Sequence, residues 1–221
     1  MSRPYVIVFA TATIDGKIAS KTRYSKLSCP EDLKRLHIAR REAGAVMIGA
    51  NTANIDNPSL RLKYVEGPNP TRIVIDGRLS IREDLRLVNE LIARTIVLTT
   101  IKADQEKVKR LASKGVEVYL IDTDKPPEIN MVKALQLLYS LGIRKVLVEG
   151  GGELIWSLIK HDLVDEFRIT YTGYVFGGRD AISIVGGEGF QSIEESPAFN
   201  VDELIRCVCG RELHVIFKRA P

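Results

Sequence analysis

The residues with the clearest chemical purpose lie where apolar runs end in glycine. Lys145-Val-Leu-Val-Glu149 leads into Gly150-Gly151-Gly152 and then Glu153-Leu-Ile-Trp156-Ser-Leu-Ile159, a strand passing through three glycines into a helix. Bare backbone amides at such a helix start face whatever lies beyond the strand's carboxyl end, which suits a phosphate or pyrophosphate. A turn needing positive φ accounts for one glycine more readily than for three. The spacing is not the G-x-G-x-x-G dinucleotide fingerprint, and no acidic residue closes a second strand about 20 positions on.

Three further junctions have the same form. Met47-Ile48-Gly49 runs into a short helix, with Thr52 in its first turn and Asp56 one turn later on the same face. Thr52 can donate to a phosphate and Asp56 can accept from a ribose or amide; a helix cap and a surface acid before Asn57-Pro58 fit the same letters. Asp76-Gly77-Arg78-Leu79 follows the strand TRIVI and offers a guanidinium for bidentate phosphate contact, such as the 2′-phosphate of NADP, although Asp-Gly is also an ordinary turn pair. Thr13-Ile14-Asp15-Gly16-Lys17 follows the first strand, and in an α/β sheet its carboxylate and ammonium would open on the same crevice as the other junctions. An exposed turn is the competing explanation.

These sites need a scaffold of strands ending on one side. Tyr5–Ala10, Ala45–Gly49, Thr71–Asp76, Arg94–Thr99, Val116–Ile121 and Lys145–Glu149 are β-branched runs bounded by polar or glycine signals, as in strands buried on both faces. Between them, Ser28 and Glu31 form a capping box before a helix over Glu31–Ala43, Ala103–Lys114 stops at Gly115, and Asn130 caps Met131–Leu141. Alternating strands and helices predict right-handed crossovers and an α/β fold with a mostly parallel central sheet flanked by helices. The tail changes character: Asp165–Thr172 alternates, and Glu203–Cys209 with Glu212–Lys218 flank Gly210-Arg211 as a hairpin, which predicts C-terminal antiparallel strands.

With 221 residues and no linker-like stretch, a single domain over 1–221 is expected. The charge of +4 comes from interleaved signs, which argues against a nucleic-acid partner, and no apolar run is long enough for a membrane, so a cytoplasmic protein is expected. Cys29, Cys207 and Cys209 are too few for a disulfide framework. Cys207 and Cys209 would share a strand face, as a C-x-C half-site or as two buried thiols; with no second pair and no nearby histidine to complete a tetrahedral set, no metal is expected. No G-x-S-x-G, P-loop or H-E-x-x-H motif occurs, so a site of amides, Thr, Arg and carboxylates suits a cofactor carrying its own reactivity.

Taken in order, TIDGKIA (Thr13–Ala19), SKLSCPEDL (Ser25–Leu33), IGANTANIDNPSL (Ile48–Leu60), RIVIDGRL (Arg72–Leu79), VEGGGELIWSLI (Val148–Ile159) and LVDEF (Leu163–Phe167) carry a resemblance to a known family. The sequence resembles the archaeal and fungal pyrimidine reductases of riboflavin biosynthesis, and is similar to the reductase half of the bacterial deaminase-reductase, from about Tyr5 to Phe217. The zinc motif of the deaminase half does not occur. The resemblance implies a dihydrofolate-reductase-like fold, NADPH as hydride donor, a homodimer, and reduction of a ribosylamino group to ribitylamino on a phosphorylated pyrimidine, with no metal needed.

By matching motif, the resemblance implies cofactor contacts at Thr52, Asp56, Asp76, Gly77, Arg78, Leu79, Gly150, Gly151, Gly152 and Glu153. Glu149 matches a substrate-contacting glutamate, with Asp15 as a second polar contact near the reacting carbon; these two are the catalytic candidates. Arg40 and Lys63, with Leu60 beside them, match positions that bind the substrate's 5′-phosphate, and Lys17 is a further substrate contact. Gly77 stands where the family often has serine, which removes a hydroxyl from the phosphate site and leaves room for NADH. The alternatives are the deaminated pyrimidine, dihydrofolate, or a non-catalytic NADP-binding regulatory module. A folate enzyme would carry a buried acid on its first long helix, where this chain offers Arg35, Arg40 and Arg41.

Overall fold

The protein is described by a computed structural model covering residues 2–220. Its first elements are β1 (Tyr5–Thr13), β2 (Lys17–Ala19), α1 (Pro30–Ala43), β3 (Ala45–Gly49), α2 (Ala50–Asp56), β4 (Thr71–Ile75) and α3 (Arg86–Asn89). Next come β5 (Thr95–Thr100), α4 (Gln105–Ser113), β6 (Glu117–Ile121), α5 (Met131–Ser140) and β7 (Lys145–Val148). The chain finishes with α6 (Gly152–Ile159), β8 (Glu166–Thr172), β9 (Ile182–Ser183), β10 (Phe199–Arg206) and β11 (Glu212–Arg219). Two units result, one built on Ala39–Leu147 with the residues up to Tyr5, the other on Val6–Ile38 with the residues from Val148 on.

In the first unit the strand order is β7-β3-β4-β5-β6. The pairs from β3 to β6 are parallel, with Gly49 opposite Ile75 and Ile75 opposite Leu98. All six residues of β5 and the first four of β3 are buried, as β-branched runs covered on both faces should be. β6 was expected to be equally buried and is not: it is the edge strand, and Leu120 is exposed. Asn130 caps α5 as its position predicts, accepting from Lys133 N at 3.0 Å. α4 starts two residues later than the periodicity implies, because Asp104 takes the cap and accepts from Glu106 N at 2.9 Å.

In the second unit the order is β10-β11-β8-β1. β8 runs parallel to β1, while β11 is antiparallel to both β8 and β10, so the antiparallel C-terminal strands are present. β10 ends at Arg206, earlier than expected, because the chain turns at Cys207 and Gly210, whose backbones bond each other at 2.9 Å. Cys207 and Cys209 therefore sit in the turn and not on one strand face. α1 begins at Pro30, and the Ser28 hydroxyl meets Thr11 Oγ1 at 2.9 Å. α6 buries Leu154, Ile155, Leu158 and Ile159.

Candidate active site

In the first unit, α2 leaves the end of β3 with Gly49 as a cap that has no side chain to cover the helix start. Thr52 is half-buried and Asp56 exposed on this helix. The loop after β4 docks on it: Asn54 Nδ2 donates to Ser80 O at 3.2 Å, and Arg82 N donates to Asn54 Oδ1 at 2.9 Å. This brings the Thr52 and Asp76–Leu79 groups into one neighbourhood.

Asp76 itself is turned inward. It is 3% exposed, its Oδ2 accepts from Ile81 N at 2.7 Å, and its Oδ1 accepts from Ser80 Oγ at 3.0 Å. The carboxylate builds the turn. Leu79, in the left-handed region at φ 52° and 2% exposed, is likewise part of the turn's packing. Gly77 has a steric reason: a Cβ there would stand 1.7 Å from the Pro127 carbonyl oxygen, so no serine fits. Arg78 is exposed, and its guanidinium has no hydrogen bond or ion pair among the described residues.

Arg40 and the segment at Leu60–Lys63 are also joined, because buried Arg40 donates from Nη1 to Arg61 O at 3.1 Å. Leu60 is buried at φ 51°, and Lys63 is exposed.

In the second unit, Glu149 is half-buried at the end of β7. Gly150 follows at φ 103° with open space where a Cβ would point, across a cis peptide to Gly151. Gly151 caps α6 without a side-chain hydrogen bond, and the dipole of this eight-residue helix favours an anion at its start. Gly152 is fixed by packing: a Cβ would lie 2.9 Å from Gly186 N and 3.2 Å from Ser183 O. Glu153 accepts from Gly187 N at 3.0 Å and so holds the same loop. Two of the three glycines thus have a structural cause that spacing alone does not reveal.

Asp15 is engaged by its own unit. Oδ1 accepts from Thr13 Oγ1 at 2.6 Å and from Phe176 N at 3.2 Å, and Oδ2 accepts from Gly177 N at 2.7 Å. The Thr13 hydroxyl, with help from these amides, holds its pKa below the ordinary carboxylate value. Lys17 lies on β2, where Nζ donates to Ser183 Oγ at 3.0 Å.

Two sequence readings need correction. α1 does carry a buried acid: Asp32 is fully buried, accepting from Thr170 Oγ1 and Thr11 Oγ1 at 2.6 Å each. An acid in a first helical turn looks like a dipole partner, and only the pairing of β1 with β8 supplies its two threonines. Nor are Cys207 and Cys209 alone, since Cys29 and Glu212 meet them in space.

A mostly parallel sheet whose strands run into helix starts that no side chain caps is an α/β enzyme scaffold suited to anionic groups. Residues 4–213 match the RibD C-terminal domain, and the chain belongs to that family. A relative from Archaeoglobus fulgidus, the 2,5-diamino-6-ribosylamino-4(3H)-pyrimidinone 5′-phosphate reductase, is 38% identical over 85% of this chain and 89% of its own. The crystal structure of a Thermotoga maritima diaminohydroxyphosphoribosylaminopyrimidine deaminase/5-amino-6-(5-phosphoribosylamino)uracil reductase superposes with a TM-score of 0.79 at 29% identity. It covers 99% of this chain, which spans only 57% of that protein. Dihydrofolate reductase from Enterococcus faecalis superposes with a TM-score of 0.55 at 16% identity, covering 98% of this chain and 97% of its own, and shares the fold. The fold is dihydrofolate-reductase-like.

Proposed function

We propose that this chain is the NADPH-dependent reductase that converts the ribosylamino side chain of 2,5-diamino-6-ribosylamino-4(3H)-pyrimidinone 5′-phosphate to ribitylamino in riboflavin biosynthesis. The observation that carries the reading is the amino end of α6 behind Gly150, a helix start at a strand end that no side chain caps and that suits an anion, in a chain of this family. NADPH supplies the hydride for C1′ of the ribose, so the protein's part is orientation, charge and proton supply.

The amides of Gly151, Gly152 and Glu153 hold a pyrophosphate, and Thr52 and Asp56 hold further cofactor groups. Arg78 pairs with the 2′-phosphate in a turn set by Asp76, Gly77 and Leu79. Because no side chain fits at Gly77, discrimination against NADH falls to Arg78, and NADH is tolerated more than where a second donor exists. Arg40, oriented by the Arg61 carbonyl, and Lys63 hold the substrate's 5′-phosphate beside Leu60. Glu149 hydrogen-bonds the pyrimidine or sugar chain, and Asp15, kept ionised, serves as an acceptor, with Lys17 a further polar contact. The proton then comes from Glu149, Lys17 or water.

The whole chain works as one cytoplasmic reductase domain and pairs with a second copy. The support for pairing is edge strand β10, which exposes Val201, Leu204 and Ile205. The testing experiment follows NADPH oxidation with the diaminopyrimidine substrate, its deaminated counterpart and dihydrofolate. Turnover of the first is expected; turnover confined to another moves the assignment to that compound, and NADPH binding without any turnover leaves a regulatory module.

A further inference from the structure

We propose that Cys29, Cys207, Cys209 and Glu212 form a tetrahedral site for a thiophilic divalent cation, Zn²⁺ above all, which pins the β10–β11 turn to the start of α1. One ligand atom from each of the four residues lies within 4.8 Å of the others. The Cys29 and Cys207 sulfurs are 3.7 Å apart. Two sulfurs each about 2.3 Å from a tetrahedral zinc are separated by roughly 3.8 Å, so this pair stands at ligand spacing. A disulfide needs about 2.05 Å and would leave the third thiol and the carboxylate without a role.

Glu212 supplies the independent observation. It is 6% exposed, and its Oε1 accepts from Cys29 N at 2.6 Å, which fixes the carboxylate against the thiols. Its Oε2 is buried with no hydrogen-bond partner. A buried carboxylate oxygen left bare is costly, and a cation at the centre of the cluster removes that cost. Binding releases three thiol protons to water and forms three metal–sulfur bonds and one metal–oxygen bond, with no change of oxidation state.

The ligands are presented by backbone already in place. Cys207 N donates to Glu212 O and Gly210 N to Cys207 O, each at 2.9 Å, so the turn is closed before any ion binds. A cavity of about 610 Å³, lined in part by Cys29, Cys209 and Glu212, lets the ion in, and Lys26 and Arg211 on its wall offset the site's negative charge. Four protein ligands leave no open position, which makes the site structural. None of the four residues belongs to the cofactor or substrate groups above, so the inference stands apart from the proposed reaction.

The test strips the reduced protein with a chelator and titrates it with Co²⁺. One cobalt per chain is expected, with intense thiolate-to-cobalt charge transfer and tetrahedral visible bands that Zn²⁺ abolishes. Cys209→Ser, at an exposed position, should keep its circular dichroism and weaken cobalt binding by at least about 100-fold. The weak spectrum of octahedral cobalt, binding well below one ion per chain, or a mass two hydrogens light from a Cys29–Cys207 disulfide under reducing conditions would overturn the proposal.

Discussion

Asp76 separates a residue that touches the cofactor from one that builds the ground beneath it. Asp76→Ala removes two hydrogen bonds to a charged acceptor and strands the buried Ile81 amide, while the exposed Ser80 hydroxyl recovers water. Bonds to charged groups contribute about 1.5–3 kcal/mol and a stranded buried donor about 1–3 kcal/mol, and since the two overlap at Ile81 the loss is about 3 kcal/mol. For a chain of this size each kcal/mol lowers Tm by roughly 2–4 °C, so Asp76→Ala should melt about 6–12 °C lower. Ser80→Ala leaves the buried Asp76 Oδ1 without its donor but keeps the Ile81 bond, and should cost about 1–3 kcal/mol. Differential scanning calorimetry reads the melting temperatures, and fluorescence titration reads NADPH binding. The reasoning fails if Asp76→Ala melts like the wild type but loses NADPH, which would make the carboxylate a direct ligand.

Arg78→Ala should weaken NADPH by roughly 10- to 150-fold, the equivalent of one charge-assisted contact, and leave NADH affinity unchanged in the same titration. Arg40→Met should raise the KM for the phosphorylated pyrimidine at least about tenfold with kcat nearly kept, because a phosphate handle binds ground and transition state alike; a selective fall in kcat would contradict it. Since the folded pKa of Asp15 is depressed, its clasp on Phe176 and Gly177 holds at any pH above the usual carboxylate range and is lost only as pH falls below it. The two amide resonances should therefore stay constant from neutral pH down to that range, and Asp15→Asn should shift them already at neutral pH.

The parts of this molecule that rest on local rules were legible in its letters. The strand ending in Gly49, the strand that leads toward Gly150, the Asn130 cap and the antiparallel tail each follow from propensity and turn chemistry within a few residues. What escaped depends on neighbours distant in sequence. Gly77 looked like a lost hydroxyl until the Pro127 carbonyl explained it, and Asp32 passed unnoticed on a helix read for its arginines, although Thr11 and Thr170 close on it. Cys29 meets Cys207 across 178 residues, a distance at which no spacing rule applies. Exposure of β6 was hidden for a related reason, because which strand becomes the edge is a property of topology and not of composition.

The interleaving of the two units sets a schedule for synthesis. Residues 39–147 form a nearly continuous stretch, so the strands β3 to β6 can pair soon after they leave the ribosome. The other unit joins segments far apart in the chain: Ile7 pairs with Glu166, and the Cys29 amide finds Glu212. Its apolar strand β1 must wait until the distant β8 has been made, which makes nascent chains stalled before Glu166 the form of this protein most in need of a chaperone.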